Sequence, residues 1–144
     1  MKWLAVLAGA LASALAASVA AADMRIVADQ GGEVTTYLQK FMAVRASGER
    51  VIIDGPCMSA CTLLFAVVPK DRICVTNRAV LGFHGAAYYD DATRSLVPTR
   101  EGSRLVMRLY PPPLRSWIER HGGLTPKLIK LRGRELAALY GTCR

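Results

Sequence analysis

The chain has 144 residues, of which 52% are hydrophobic, and it carries a formal net charge of +8 at pH 7. This length is enough for one domain with a modest core and too short for two. The positive charge is compatible with binding to anionic surfaces or acidic polymers. The basic residues are scattered and are not interleaved with aromatic side chains, so we expect no nucleic-acid binding.

The first 22 residues have the composition of a secretory signal peptide. Lys2 precedes an unbroken apolar and small-residue stretch that ends in an alanine run at 20–22, which fits an A-x-A type cleavage site. A retained membrane anchor is the alternative, and no later stretch is long enough to span a bilayer. We therefore expect an exported protein, periplasmic or secreted, in which residues 23–144 form a single domain without a transmembrane segment.

Strand-like and helix-like segments alternate between residues 24 and 85. The predicted strands cover 24–29, 50–55, 72–77 and 79–85, and the predicted helices cover 33–47 and 58–69. Beyond them, the pattern predicts a polar loop over 86–99, helices over 100–110 and 111–123, and one or two short helices over 124–143 with Thr125 as N-cap. This order predicts an α/β fold in which ligands bind at the C-terminal ends of the strands.

The cysteines are four in number, Cys57, Cys61, Cys74 and Cys143. An even number in a small exported domain favours two disulfides over free thiols, and three pairings remain open. A zinc site would have to join cysteines far apart in the sequence, in an oxidising compartment, so we expect no metal. A redox-active pair at Cys57 and Cys61 is a third interpretation, but its C-x-x-x-C spacing differs from the C-x-x-C of thioredoxin-like proteins.

Ser59, His84 and the glycine pair Gly31-Gly32 all follow predicted strands. A serine hydroxyl needs a nearby base to act as a nucleophile, and its transition state needs N–H donors aimed at the developing oxyanion. The N–H of Ala60, at the start of a helix, is available as one donor, and the glycine turn is available as the second. Taken alone, Ser59 would more often be a helix N-cap. The shared position at one end of the sheet favours a catalytic Ser-His pair.

Residues 51–86 (VIIDGPCMSACTLLFAVVPKDRICVTNRAVLGFHGA), with DQGGEV before them and ELAALYG after them, resemble the Clp protease proteolytic-subunit family of the ClpP/crotonase superfamily. The similarity is greatest to small exported relatives that carry cysteines around the serine. The glycine pair lies 28 and 27 residues before Ser59, and His84 lies 25 residues after it, spacings similar to those of the family. The resemblance extends weakly over most of 24–141.

This resemblance implies a ClpP/crotonase-like superhelix of β-α-β units followed by C-terminal helices. It also implies that Ser59 is the nucleophile, that His84 is the general base, and that the N–H groups of Gly32 and Ala60 form the oxyanion hole. The implied reaction is hydrolysis of peptides or other acyl compounds through an acyl-enzyme, without a cofactor. An exported protein has no ATP-driven unfoldase as a partner, so its substrates would be short peptides or unfolded proteins.

The chain departs from the family at the third catalytic residue, an acid late in the chain whose place falls near Ile129. Asp90 is the local candidate for this acid, and Asp91 and Glu135 are alternatives. The missing acid supports a second hypothesis, a catalytically inactive binding or assembly module of the cell envelope in which Ser59 is an N-cap. The apolar residues of the C-terminal helices would pack either between subunits of a homo-oligomer, as in the family, or into the core of a monomer.

Overall fold

The computed structural model describes residues 22–144 as a mixed α/β arrangement, so the predicted signal peptide up to residue 21 lies outside the described residues. Its elements in chain order are β1 (Met24–Ile26), α1 (Val34–Ser47), β2 (Val51–Ile53), β3 (Pro56–Met58), a 3-10 helix (Ser59–Leu63), α2 (Leu64–Val67), a second 3-10 helix (Lys70–Arg72), β4 (Ile73–Val75), β5 (Val80–Phe83), β6 (Ala87–Asp90), β7 (Ser95–Pro98), α3 (Arg100–Leu109), α4 (Pro112–Arg120), β8 (Ile129–Arg132) and α5 (Gly133–Tyr140). Within 22–144, no helix combines the length and the apolar character needed to cross a bilayer.

The first sheet is parallel, with the strand order β1-β2-β4. All three residues of β2 are buried, as its uninterrupted apolar sequence predicts for a strand that is covered on both faces. The helix α1 connects β1 to β2; Glu33 caps its start by accepting a hydrogen bond from the Thr36 N–H, and Gly48, with φ 79°, ends it. The predicted helix over 33–47 is therefore confirmed.

The second sheet has the order β3-β5-β8, in which β3 is parallel to β5 and β8 is antiparallel to it. The chain passes from the first sheet to the second over Asp54 and Gly55, between β2 and β3. A parallel bridge between Asp29 and Cys57 places the segment after β1 beside the free edge of β3. Three parallel segments, namely the one at Asp29, β3 and β5, therefore end on the same side of the second sheet.

Asp54 is 6% exposed and lies where the two sheets separate. Its Oδ1 atom accepts hydrogen bonds from Thr76 Oγ1 (2.8 Å) and Arg78 Nε (3.0 Å), and its Oδ2 atom accepts one from Arg25 Nη1 (2.8 Å) and one from Arg78 Nη2. The hydrogen bonds from Arg78, Thr76 and Arg25 outweigh burial and hold the pKa of the Asp54 carboxyl well below its usual range. Asp54 therefore carries its charge at neutral pH and ties β1 to the turn before β5.

Both disulfides predicted from the cysteine count are formed. The bonds join Cys57 to Cys61 and Cys74 to Cys143, and no cysteine in the described residues is free. The second bond fastens the residues after α5 to β4, which a bridge between Val75 and Thr142 also does. The structure thus selects one of the three pairings that the sequence left open.

Predictions of secondary structure are wrong in three places. Residues 56–58 form the strand β3, which was not predicted, and the predicted helix over 58–69 starts only at Ser59, as a 3-10 helix that continues into α2. Residues 86–99 are not a polar loop but an antiparallel hairpin of β6 and β7, in which Tyr88 faces Val97 and Tyr89 faces Leu96. Residues 124–143 do not begin with a helix capped at Thr125; they form β8 and then α5. The alternating sequence of β8 buries Leu131 against β5, and this contact with a distant strand outweighs local helix propensity.

Candidate active site

Ser59 and His84 follow the C-terminal ends of two paired parallel strands. Met58 of β3 is the register partner of Gly82 of β5, so Ser59 comes directly after one strand and His84 directly after the last residue of the other. Continued by one residue, this register sets Ser59 opposite Phe83 and Ala60 opposite His84, and within residues 22–144 no hydrogen bond joins the Ser59 hydroxyl to the His84 ring. The Met58 side chain packs over Gly82, where a Cβ would lie 2.2 Å from the Met58 sulfur.

Ser59 has a left-handed backbone, with φ 53°, which is uncommon for a residue other than glycine. It is the first residue of the 3-10 helix, whose N-cap is Met58 and has no capping hydrogen bond from its side chain. The suggestion that Ser59 is an N-cap is therefore wrong, because an N-cap residue has extended backbone angles and lies before the helix. The unusual conformation instead resembles the strained strand-to-helix turns that expose nucleophiles in hydrolases.

Two restraints hold this turn. The Cys57–Cys61 disulfide spans it, and both of its cysteines are fully buried. The Thr62 hydroxyl oxygen lies 2.6 Å from the Ser59 carbonyl, to which it donates, and 2.6 Å from the buried hydroxyl of Tyr110. The backbone of Ser59 is thus fixed from both sides by groups inside the core.

The glycine turn lies directly against Ser59. Gly31 has φ 81°, and a Cβ at this position would lie 2.5 Å from the Met58 carbonyl oxygen, 2.7 Å from the Ser59 Cβ and 2.8 Å from the Ala60 nitrogen. Only glycine fits there, because the backbone angle and the lack of space both exclude a side chain. The N–H of Ala60 belongs to the first helical turn, where donors have no acceptor within the helix.

The sequence analysis assigned the second oxyanion donor to Gly32, and the structure gives the two glycines different surroundings. Gly31 contacts Ser59 and Ala60, and its own N–H donates to Asp29 Oδ1 over 2.9 Å. Gly32 follows at the same turn, and a Cβ there would face the Tyr37 ring at 3.2 Å. The close approach to Ser59 is therefore made by Gly31, and Gly32 remains the predicted donor.

Asp29 is a residue of the site that the sequence analysis missed. Besides the Gly31 N–H, its carboxylate accepts hydrogen bonds from the Tyr37 hydroxyl (2.5 Å) and Lys40 Nζ (3.4 Å). Burial raises the pKa of Asp29, but the hydrogen bonds from Tyr37, Gly31 and Lys40 outweigh it, so the pKa is lowered overall. Burial, together with the hydrogen bond to Asp29, raises the pKa of Tyr37 to about 12. The Asp-x-Gly pattern in the sequence is typical of a turn closed by an Asp side chain, and it could have identified Asp29 as part of the site.

His84 is partly buried, and its Nδ1 atom lies 2.8 Å from the carbonyl oxygen of Gly85. A proton on Nδ1 would donate to that carbonyl and leave Nε2 as an acceptor, which is the tautomer that a general base requires. Over residues 22–144, no hydrogen bond or ion pair joins His84 to a carboxylate. A backbone carbonyl thus stands where an orienting acid would be expected.

The structure does not bring any of the three predicted acids to His84. Asp90 ends β6 and accepts hydrogen bonds within its own turn from the Ala92 N–H (2.9 Å) and Thr93 Oγ1 (3.0 Å). These bonds, first from Thr93 and then from Ala92, lower the pKa of Asp90 despite a small opposing effect of burial. Asp91 lies exposed in the same turn, and Glu135 lies exposed in the first turn of α5.

The antiparallel strand β8 brings apolar residues to the end of β5. Ile129, its first residue, is the register partner of Phe83, the last residue of β5. Beyond this pair the ladder ends, because the Gly85 N–H donates to the Thr125 carbonyl, which is out of this register. The Leu128 Cδ1 atom would lie 3.1 Å from a Cβ at Gly82, so the Leu128 side chain covers the face of β5 to which Gly82 belongs.

Comparison with known proteins gives a distant similarity. No family model matches the chain, and no curated protein matches it. Solved structures do match, and one of them is a mutant of ClpP1 from Listeria monocytogenes. It has 14% sequence identity and a TM-score of 0.48, and the match covers 87% of this chain and 74% of that one. At this level the similarity supports no statement about activity.

Proposed function

We propose that this chain is an exported serine hydrolase that cleaves peptides or other acyl compounds, with Ser59 as nucleophile and His84 as general base. The supporting observation is the meeting of three strand ends: the strained turn at Ser59 contacts Gly31 on one side, and β3, which it follows, pairs on the other side with β5, which His84 follows. The sequence resemblance over 50–86 supports the same roles, and with them a ClpP/crotonase-like superhelix as the complete fold.

In the proposed reaction, Ser59 Oγ attacks the carbonyl carbon of the substrate while its proton passes to His84 Nε2. The N–H groups of Ala60 and Gly32 donate to the oxyanion of the tetrahedral intermediate. The intermediate collapses, the bond to the leaving group breaks, and the leaving group takes the proton from His84. Water then enters, loses a proton to His84, and releases the acyl group from Ser59 by the same steps.

The Gly85 carbonyl has a specific part in this proposal. By accepting from Nδ1–H, it keeps the proton off Nε2, so His84 is ready to accept the serine proton. A carbonyl has only a partial charge, so it stabilises the imidazolium less than a carboxylate does. We therefore expect slow turnover compared with an enzyme that has a complete triad, in which loss of the acid costs about 10⁴ in rate.

A second candidate function follows from the same observation. A protein without a carboxylate at its histidine could bind peptides without cleaving them, as a binding or assembly module of the cell envelope. In that case the turn at Ser59 would form part of the peptide-binding surface and have no catalytic role. The two functions make opposite predictions for chemical modification of Ser59.

The deciding experiment is labelling of the oxidised protein with a fluorophosphonate probe and mapping of the adduct by mass spectrometry. We expect labelling at Ser59, no labelling in Ser59→Ala, and strongly reduced labelling in His84→Gln. Ser95→Ala, which removes an exposed serine from the β6–β7 hairpin, serves as the matched control and should label normally. Absence of an adduct at Ser59 in protein with a native circular dichroism spectrum would support the binding module instead.

Export and assembly are further parts of the proposal. Two disulfides are typical of proteins in oxidising compartments, which supports a periplasmic or secreted location. Short peptides or unfolded proteins are the proposed substrates. The helix α3 buries none of its residues and exposes Leu105 and Leu109, which supports a homo-oligomer. Analytical ultracentrifugation tests this point.

A further inference from the structure

A cavity of about 620 Å³ opens directly behind Gly85, the residue whose carbonyl accepts from His84. Gly85 and Ala86 line one side of it. The start of α3 lines the second side, and residues 124–126 line the third. The cavity is thus adjacent to the proposed general base, although neither Ser59 nor His84 is among its lining residues.

Backbone hydrogen bonds fix the walls of this cavity to the end of β5. The Gly85 N–H donates to the Thr125 carbonyl over 2.6 Å, and the Ala86 N–H donates to Ser103 Oγ over 2.9 Å. The Thr99 N–H in turn donates to the Ala86 carbonyl over 2.9 Å. A side chain at Gly85 would not fit, because its Cβ would lie 2.9 Å from Ser103 Oγ. The cavity therefore keeps a set position relative to His84.

The lining combines apolar side chains with two arginines. Met107 and Leu124 are partly buried and pack against the core, while Arg100 and Arg104 are exposed and are separated by one turn of α3. The salt bridges found among the described residues involve only Asp29 and Asp54 as acids, so neither arginine takes part in one. The cavity therefore presents unpaired positive charge beside an apolar surface.

The position of Arg100 is unfavourable for the helix itself. It is a cation in the first turn, where it opposes the helix dipole, and it repels Arg104 four residues later. Glu101, three residues before Arg104, complements the dipole and offsets part of this cost. Binding of an anion at the cavity would use both arginines.

We infer that this cavity binds an acidic side chain of a peptide, with the adjoining apolar side chain of the peptide against Met107 and Leu124. The arginines would form ion pairs with the carboxylate. Because Gly85 directly follows His84 in the chain, the bound residue of the peptide would lie close to the bond that is cleaved. The consequence for catalysis rests on the proposed hydrolase function, but the binding itself does not.

Calorimetric titration of the oxidised Ser59→Ala protein tests the inference, because this variant leaves the peptide intact. The probes are two blocked hexapeptides, acetyl-Ala-Leu-Glu-Glu-Leu-Ala-amide and its counterpart with Gln in both Glu positions. We expect the Glu peptide to bind more tightly by a factor of about ten, as two exposed ion pairs allow. Added salt should weaken only the binding of the Glu peptide.

A double substitution of Arg100→Gln and Arg104→Gln should remove the preference for Glu and leave the affinity for the Gln peptide unchanged. The matched control is Arg108→Gln, which removes a charge from the same helix at a position outside the cavity lining. Equal binding of the two peptides, or an equal loss of preference in the control, would refute the inference.

The fluorophosphonate experiment separates this inference from the proposed function. Labelling of Ser59 without any preference for the Glu peptide would leave a hydrolase whose cavity has a different role. A preference that depends on Arg100 and Arg104, in a protein whose Ser59 does not react, would keep the acidic-peptide site and reject the hydrolase.

Discussion

Removal of the two disulfides one at a time should separate stability from reactivity. The first variant replaces Cys57 and Cys61 with Ala, and the second replaces Cys74 and Cys143 with Ala. The sequence separations of the two bonds are 4 and 69 residues. Because a crosslink stabilises by restricting the unfolded chain, the short loop should contribute about 2 kcal/mol and the long one about 4 kcal/mol. The second variant should therefore be the less stable of the two.

Reactivity should follow the opposite order. The short disulfide spans Ser59, whose left-handed backbone costs about 1 kcal/mol relative to a relaxed conformation. Without the disulfide, the turn can relax and move the hydroxyl away from the position that the proposed reaction requires. A displacement of about 1 Å can cost on the order of a hundredfold in rate. The long disulfide, in contrast, joins β4 to the residues after α5 and does not touch the turn.

Urea denaturation measures the first effect, and the rate constant of fluorophosphonate labelling measures the second. Labelling should be followed at a temperature at which circular dichroism shows both variants to be folded, with Ser59→Ala as the unreactive control. If the variant without the Cys57–Cys61 bond reacts as fast as the wild type, the disulfide does not hold the turn. If both variants lose reactivity in proportion to their loss of stability, the two roles are not separate.

Three further substitutions test other contacts. Asp54→Asn should lower the stability of the folded protein at neutral pH, and the difference from wild type should shrink below about pH 4. Folding lowers the pKa of the Asp54 carboxyl, so this group stabilises the fold at pH values above its pKa in the unfolded chain and loses that effect as the pH falls. Urea midpoints measured between neutral and acidic pH check this, and a difference that stays constant would contradict it. Gly31→Ala should abolish labelling of Ser59, since the added Cβ would meet the Ser59 Cβ at 2.7 Å, and normal labelling would refute the assigned contact. Leu128→Glu should speed labelling roughly tenfold by stabilising the imidazolium of His84, whereas an unchanged or slower rate in folded protein would show that position 128 does not reach the ring.

The elements near the candidate site could be predicted from the sequence because their signals are local. The apolar run of β2 indicates burial on both faces, and the helix α1 has an acidic N-cap and a glycine at its end. The position of His84 at the end of a strand was predicted, whereas Ser59 was expected after a strand over 50–55 and in fact follows β3, a separate strand of the second sheet that was not predicted. The number of disulfides followed from the even cysteine count, whereas their pairing needed the structure.

The errors have a common cause, which is that each depends on a contact between two segments and not on the residue pattern within one. The polar residues 91–94 led to the prediction of a loop, although Tyr88 and Tyr89 favour a strand. These residues form a strand because β7 pairs with them across the turn. Residues 129–132 would suit a helix, but β5 offers an edge on which Leu131 is buried. Asp29 was missed for a related reason, since its partners Tyr37 and Lys40 lie on the next helix.

The backbone of Ser59 argues for a role of its hydroxyl. A residue whose only task was to turn the chain from β3 into the 3-10 helix would be glycine, which adopts a φ of 53° without strain. A serine there costs about 1 kcal/mol, and the disulfide, the Thr62 hydrogen bond and the Gly31 contact all restrain it in that state. Strain that is kept at a polar side chain supports the proposal that this side chain is used, in catalysis or in binding a peptide.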